Sequence, residues 1–180
     1  IPGVRMEERS PASYRLSFRG SLLRSPFGVR NIKVYWNDFP LTDGGGNTYL
    51  NLLSVQQLSG AELLKGPAAS VYGAGTGGAL LLRSVDTFSL QSTHHFEAGL
   101  LGGSYGLLQQ QAGWQYSNQT FHSSLQQVHT QSDGYRQQSA MRRDGLQWNG
   151  AFSFKQQQLK FLLFYTNLYY QTPGGITRAQ

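Results

Sequence analysis

Cysteine is absent from all 180 residues, which removes disulfide frameworks, thiolate metal sites and cysteine nucleophiles in one step. Long hydrophobic runs are absent as well. The longest, around Phe161 to Tyr165, falls far short of the ~18 to 20 apolar residues that a membrane-spanning helix needs, so a helical membrane protein is excluded. A transmembrane β-barrel is not excluded. Its strands present apolar groups only at alternate positions, and a negative mean hydropathy is what they average to. Acidic residues are scarce, 9 against 15 basic ones, for a formal charge of +6. The bases are spread along the chain, with only Arg142 and Arg143 adjacent, rather than gathered into a patch or stripe, which argues against a nucleic-acid partner. There is also no initiator Met and no charged segment followed by a short apolar one, and the expectation is a partial chain.

What is present changes character near Asp86. Before it, glutamine occurs only as Gln56 and Gln57, while Arg, Gly and Pro punctuate short apolar runs; after it, glutamine dominates and alternates with aromatic residues. Two different solvents are implied. The first part reads as short strands and turns: Tyr14 to Arg19, Ile32 to Trp36, Ala61 to Leu64 and Ala79 to Val85, with a helical turn or two around Leu52 to Leu58. Such elements predict a compact α+β unit leaning on something larger.

The second part alternates more strictly. Leu146, Trp148, Phe152 and Phe154 share one face, with Gln147, Asn149, Ser153 and Lys155 on the other. Ala112, Trp114 and Tyr116 oppose Gln109, Gln111 and Gln115 in the same way; Phe96 to Leu100 is a shorter example and Phe121 to His129 a weaker one. Leu159 to Tyr170 is too continuously apolar for its faces to be assigned. Tight links at Ser117 to Thr120 and Lys155 to Gln158 alternate with long polar segments, from Ser132 to Asp144 and from Gln171 onward. In outer-membrane barrels the short turns face the periplasm and the long loops face outside. A soluble β-sandwich or barrel would alternate equally well, with its apolar face turned to a core.

Several chemical motifs fail on context. Gly73, Gly75 and Gly78 satisfy a dinucleotide fingerprint, but a strand-like Ala79-Leu80-Leu81-Leu82 follows where a helix must open. His94 and His95 would point to opposite faces of a strand, as would His122 and His129, so no metal site is expected from them. No nucleophile elbow or oriented base accompanies the serines, so no catalytic residues and no cofactor are expected.

The run Ala61 to Gly78, AELLKGPAASVYGAGTGG, resembles the plug signature of TonB-dependent outer-membrane receptors, particularly the Bacteroidetes-type sequences. The pieces are Glu62, Lys65-Gly66-Pro67, Tyr72-Gly73 and Gly77-Gly78, with Ala79 to Leu82 as the last plug strand. Upstream, LSFRG at Leu16 to Gly20 is similar to the family's Ile-Arg-Gly strand end, and VYWNDFPLTD at Val34 to Asp43 to its Asp-Gly-x-Pro-Leu strand and turn. Here Asn37-Asp38 stands in place of Asp-Gly, and Lys65 in place of the commoner Arg, which replaces a bidentate contact by a point charge.

The resemblance implies a plug domain over residues 1–86, followed in 87–180 by about five antiparallel strands of an incomplete transmembrane β-barrel. It implies that Arg19, Glu62 and Lys65 lock plug to barrel wall; breaking a buried pair of that kind costs roughly 3 to 5 kcal/mol. It places Arg24, Arg30, Asp43, Asn47 and Tyr49 on plug loops facing the substrate, with Gly44 to Gly46 allowing close approach. Ordinary turn chemistry explains Asp43 to Asn47 equally well. Gly20, Gly66, Pro67, Tyr72, Gly73, Gly77 and Gly78 become the plug's turn residues. The implied activity is import of a scarce nutrient across the outer membrane of a Gram-negative bacterium, most often a ferric siderophore, with vitamin, haem or glycan cargo as alternatives. The implied partners are outer-membrane lipid, the small-molecule or ferric-chelate substrate, and a TonB-type periplasmic energy-coupling protein gripping a segment not contained here. A soluble β-rich binding module is the competing reading.

Overall fold

The computed structural model describes residues 3–10, 13–18, 32–66, 71–73, 77–84 and 88–173. Two antiparallel strands, β1 (Val4–Ser10) and β2 (Ser13–Phe18), form a hairpin. β3 (Ile32–Trp36), β4 (Phe39–Pro40), β5 (Gly60–Lys65) and β6 (Gly78–Arg83) make a four-stranded sheet in the order β4-β3-β6-β5. Its central pair, β3 and β6, is parallel. Single 3₁₀ turns at Leu50–Leu52 and Val55–Gln57 take the place of the expected helical turns.

Alternation explains why β3 sits centrally. Ile32, Val34 and Trp36 are buried and Lys33 and Tyr35 are not, so one face of β3 enters a core with Leu16, Phe18, Leu53, Leu80 and Leu82. Gly78 is where β6 begins, and only glycine fits there. Its φ is +120°, and a Cβ would overlap the Leu64 carbonyl oxygen of the paired strand. Gly66 and Gly73 also hold positive φ, at +93° and +90°, so of the fingerprint-like glycines Gly73 serves a turn and Gly78 a close strand approach, Gly75 lying outside the described residues.

Residues 93–170 form a second, five-stranded sheet: β7 (Thr93–Gly102), β8 (Leu108–Ser117), β9 (Phe121–Ser132), β10 (Met141–Phe154) and β11 (Gln157–Tyr170). Every pair is antiparallel and consecutive, a simple meander. Connections alternate in length, with Asn118 to Thr120 and Lys155-Gln156 at one end and 103–107 and 133–140 at the other. The second long connection is shorter than its polarity suggested. Arg142, Arg143 and Asp144 belong to β10, where each finds a partner that lets a polar residue sit in a strand.

The two faces of the meander settle what alternation alone left open. Across the ladders, Phe96, Trp114, Leu125, Trp148 and Leu163 stand in one row. That row points away from the protein: Trp148 is 47% exposed while its neighbour Gln147 is fully buried at 0%. The polar face, with His122, Ser124, Gln126, Arg143, Gln147 and Asn149 buried, is turned toward the rest of the chain. A soluble sandwich requires the opposite arrangement. An apolar outer band over a polar interior is the arrangement of a barrel wall in lipid.

Candidate functional site

The small sheet rests on the inner face of the meander through polar contacts around one apolar point. At that point, Leu162 of β11 packs against the small sheet's core, and Phe164 lies 5.5 Å from the Trp36 ring. This explains why the faces of Leu159 to Tyr170 resisted assignment. Its outward residues meet lipid, its inward ones meet a core, and both are therefore apolar.

Around the apolar point the contacts are hydrogen bonds. Ser84, just after β6, accepts from the indole Nε1 of Trp36 at 2.7 Å and from Nε2 of Gln147 at 2.6 Å. Gln147 also donates to Oδ1 of Asn149 at 2.9 Å. The Ser84 amide donates to Oδ1 of Asn37 at 2.8 Å, which ties the β3–β4 turn to the same node. Higher up, Nη1 of Arg143 donates to the Leu53 carbonyl at 3.0 Å, and Oγ1 of Thr166 to the Leu52 carbonyl at 2.8 Å. At the tight-turn end, Nζ of Lys160 lies 2.7 Å from Oδ2 of Asp38. Of these wall residues, Gln147 and Asn149 were legible only as members of a polar strand face, and which of them meets the small sheet depends on docking.

These contacts also fix direction. Asp38 sits beside the tight-turn end of β11, whereas Leu52 and Leu53 sit beside Thr166 and Arg143, toward the long-loop end. The chain from 38 to 53 thus climbs toward the long loops. The connection into β7 starts at the other end, where the Ser89 amide donates to the Asn118 carbonyl at 3.3 Å and Gln119 donates to the Leu90 carbonyl at 3.1 Å.

Of the expected lock, Arg19 lies outside the described residues. Glu62 and Lys65 lie on β5, the edge strand of the small sheet. Glu62 is exposed, with its carboxylate 3.6 Å from Arg83 of the adjacent strand, an arrangement worth little in water. Lys65 is half-buried and its backbone pairs with Gly78. Among the expected substrate-facing residues, Arg24 and Arg30 lie outside the described residues, as do Gly20 and Pro67 of the turn set.

Asp43 and Asn47 are brought together in the loop after β4, and Tyr49 follows them in the chain. The Asn47 amide donates to Oδ1 of Asp43 at 2.8 Å, the Asp43 amide donates back to the Asn47 carbonyl at 2.9 Å, and Tyr49 is exposed. The backbone N–H of Asn47 holds the Asp43 carboxyl below its ordinary value of 3.8. Asp43 therefore shapes the loop through its own carboxylate. Tyr72 accepts a hydrogen bond at its carbonyl from the Tyr35 hydroxyl at 2.8 Å, and the two rings meet edge to face at 5.3 Å.

The histidines diverge as their spacing required. His94 lies against Trp114 and Tyr116 on the outer face, while His122 is buried on the inner one. His129 pairs through Nδ1 with Asp144 at 2.6 Å, on the outer face toward the long loops.

Residues 1–80 match the family described as "TonB-dependent Receptor Plug Domain". Over 99% of its length the chain superposes on the ferric citrate transporter FecA in its unliganded form, with a TM-score of 0.75 and 20% identity, covering 29% of that protein. The copper transporter OprC gives 0.73 and 17% identity over 94% of this chain and 27% of that one. The pyoverdine receptor FpvA from Pseudomonas aeruginosa PAO1, bound to pyoverdine, gives 0.64 and 13% over 94% of this chain and 25% of that one. The chain thus spans about a quarter to a third of the length of these structures.

Proposed function

We propose that this chain, by its plug-domain match over residues 1–80 and its receptor fold, is part of a TonB-dependent receptor of the Gram-negative outer membrane and takes part in active import of a scarce nutrient. In this reading residues 1–86 form the gate and 87–180 open the wall that surrounds it. The reading excludes an enzyme and casts the chain as a transporter component. The observation that carries it is the polar docking face. Gln147, Arg143 and Thr166 hold the plug by hydrogen bonds, with Gln147 also bonded to Asn149 on its own strand, and these bonds exchange with water when the plug shifts, while Trp148 and its row face lipid.

A ferric siderophore is the proposed cargo class. FecA and FpvA carry ferric citrate and pyoverdine in their names, and OprC carries copper. The loop Leu41 to Tyr49, on the climb toward the long-loop end, is the proposed meeting point on the plug. Asn47 and Tyr49 supply amide and aromatic contacts there, and Asp43 holds the loop's shape. In this reading a TonB-type periplasmic coupling protein grips the plug and transmits the proton-motive force that moves it.

The test is made on the full receptor. It should require detergent for extraction from the outer membrane, and its deletion should abolish growth on one ferric chelate under iron limitation. A full-length protein that is monomeric in plain buffer would sink the reading. Lys65→Met addresses the lock on the edge strand: plug retention in mild urea should weaken while barrel insertion, read by heat-modifiable gel mobility, stays intact. Unchanged plug retention would remove Lys65 from the lock.

A further inference from the structure

Two arginines stand side by side on β10 and meet opposite surroundings. Arg142 turns to the outer face, where its Nε lies 2.9 Å from the carboxylate of Asp144. Arg143 turns inward and is 9% exposed. No carboxylate among the described residues pairs with it, and its hydrogen-bond partner there is a neutral group, the Leu53 carbonyl, 3.0 Å from Nη1. The inward carboxylate of the described wall, Glu97, lies three strands away and accepts from Gln126 at 3.3 Å. A guanidinium carries five N–H donors, and one carbonyl neither occupies them nor balances the charge. Nε is closed off without an acceptor, whereas Nη2 is neither bonded nor closed off. The plug thus holds the side chain in place with its charge unmatched.

The row that Arg143 belongs to is polar as well. Thr130 of β9 lies opposite Arg143, and Gln109 of β8 lies opposite Thr130. A guanidinium, a hydroxyl and an amide therefore stand in line on the inner face, spanning about 10 Å at the usual strand spacing. Thr130 and Gln109 are half-buried, and their polar side-chain atoms are neither bonded within the described residues nor closed off. One cation in the row suits one negative charge, a carboxylate, and the near-complete burial of Arg143 keeps water from weakening such a pair. The hydroxyl and the amide suit the hydroxyls of the same ligand.

We propose that Arg143, Thr130 and Gln109 form a wall-side binding site for a polyhydroxy carboxylate, whose carboxylate pairs with Arg143 while its hydroxyls bond Thr130 and Gln109. Leu53 keeps its bond to Nη1 and fixes the guanidinium in the row. The site lies toward the long-loop end, where the plug meets the wall. The proposal rests on the plug-and-wall reading above, and adds to it the charge and the oxygen-rich character of a ligand met there.

The probe is sodium gluconate, a carboxylate on a chain of hydroxyls, titrated by calorimetry into the full receptor in detergent at low salt. Sorbitol, the same chain ending in an alcohol, and sodium chloride at equal ionic strength are the controls. Gluconate should bind and the controls should not. Arg143→Gln should weaken gluconate binding about 10- to 100-fold, the range for losing a charged hydrogen-bond partner. That variant also gives up the Leu53 contact, so Thr130→Val and Gln109→Met are read beside it. Neither residue bonds the plug among the described residues, and each variant should weaken gluconate roughly 2- to 10-fold. Arg142→Gln, on the outer face, should leave binding unchanged. Equal heats from gluconate and sorbitol, binding that survives Arg143→Gln, unchanged binding in both Thr130→Val and Gln109→Met, or loss of binding in Arg142→Gln would each overturn the site. A native receptor that binds no gluconate would overturn it too, and would mean that a carboxylate elsewhere in the receptor already fills Arg143. Failure of the import reading would show separately, in growth on ferric chelates, with these titrations unchanged.

Discussion

Trp36→Ala is expected to destabilise the plug by about 3 to 5 kcal/mol, the range for deleting a large buried aromatic. The indole is 1% exposed and is the largest of the fully buried side chains among the described residues. Its removal opens a cavity in the plug core and takes the partner away from Phe164 of the wall. It also leaves Ser84 with one fewer donor, at the node shared with Gln147. Trp36→Phe keeps most of the volume and loses only the Nε1 bond, about 1 kcal/mol. Thermal unfolding of the detergent-solubilised receptor, followed by near-ultraviolet circular dichroism, should rank native above Trp36→Phe above Trp36→Ala. Equal melting of native protein and Trp36→Ala would mean that the plug core is not organised around this residue.

Leu125→Arg carries the second large effect, on the other side of the wall. Leu125 is the middle member of the outward row and is 39% exposed. A cation on the lipid face near the middle of the bilayer costs about 2 to 4 kcal/mol. Gln115→Arg, on the lumenal face of β8, is the matched control and should cost almost nothing. Urea unfolding from phospholipid vesicles distinguishes the two. If Leu125→Arg were neutral in vesicles, the exposed apolar row would not face lipid, and a protein partner would have to cover it.

The sequence was most legible where one residue type had one environment. In β10, Trp148 meets lipid and Gln147 meets the plug, so period two was plain. In β9 it was weaker, because Ser123 points outward to accept a bond from Trp148 at 3.0 Å, and Ser124 points inward. In β11 it vanished, since Leu162 and Phe164 dock on a core while Leu163 and Tyr165 face out. The plug motif placed Gly73 and Gly78 at turns and strand entry, which backbone geometry explains without reference to partners. The residues that join plug to wall were illegible for the opposite reason. Arg143, Lys160 and Thr166 matter through partners 90, 122 and 114 positions away in the chain. No local pattern encodes such a distance. Asp38 was the exception: its departure from the family's glycine was visible, but its meaning required the lysine.

The parallel pairing of β3 with β6 sets the two sheets on different clocks. Every ladder of the meander joins consecutive strands, so each closes only a short loop, and hairpins of this kind form in about 1 to 10 μs in isolation. Val34 must instead find Leu80 across the whole of β4 and β5, and that closure entropy precedes any reward. The wall ladder is therefore expected to zip first and the gate to assemble against it, with Leu162 and Phe164 presenting a surface on which β3 can settle. Pulsed hydrogen exchange during refolding should protect β9 and β10 ahead of β3 and β6. The reverse order would mean that the gate nucleates by itself. If the wall comes first, the lumen is open for the interval before β3 and β6 meet, and the speed of that one pairing decides how long a newly made channel leaks.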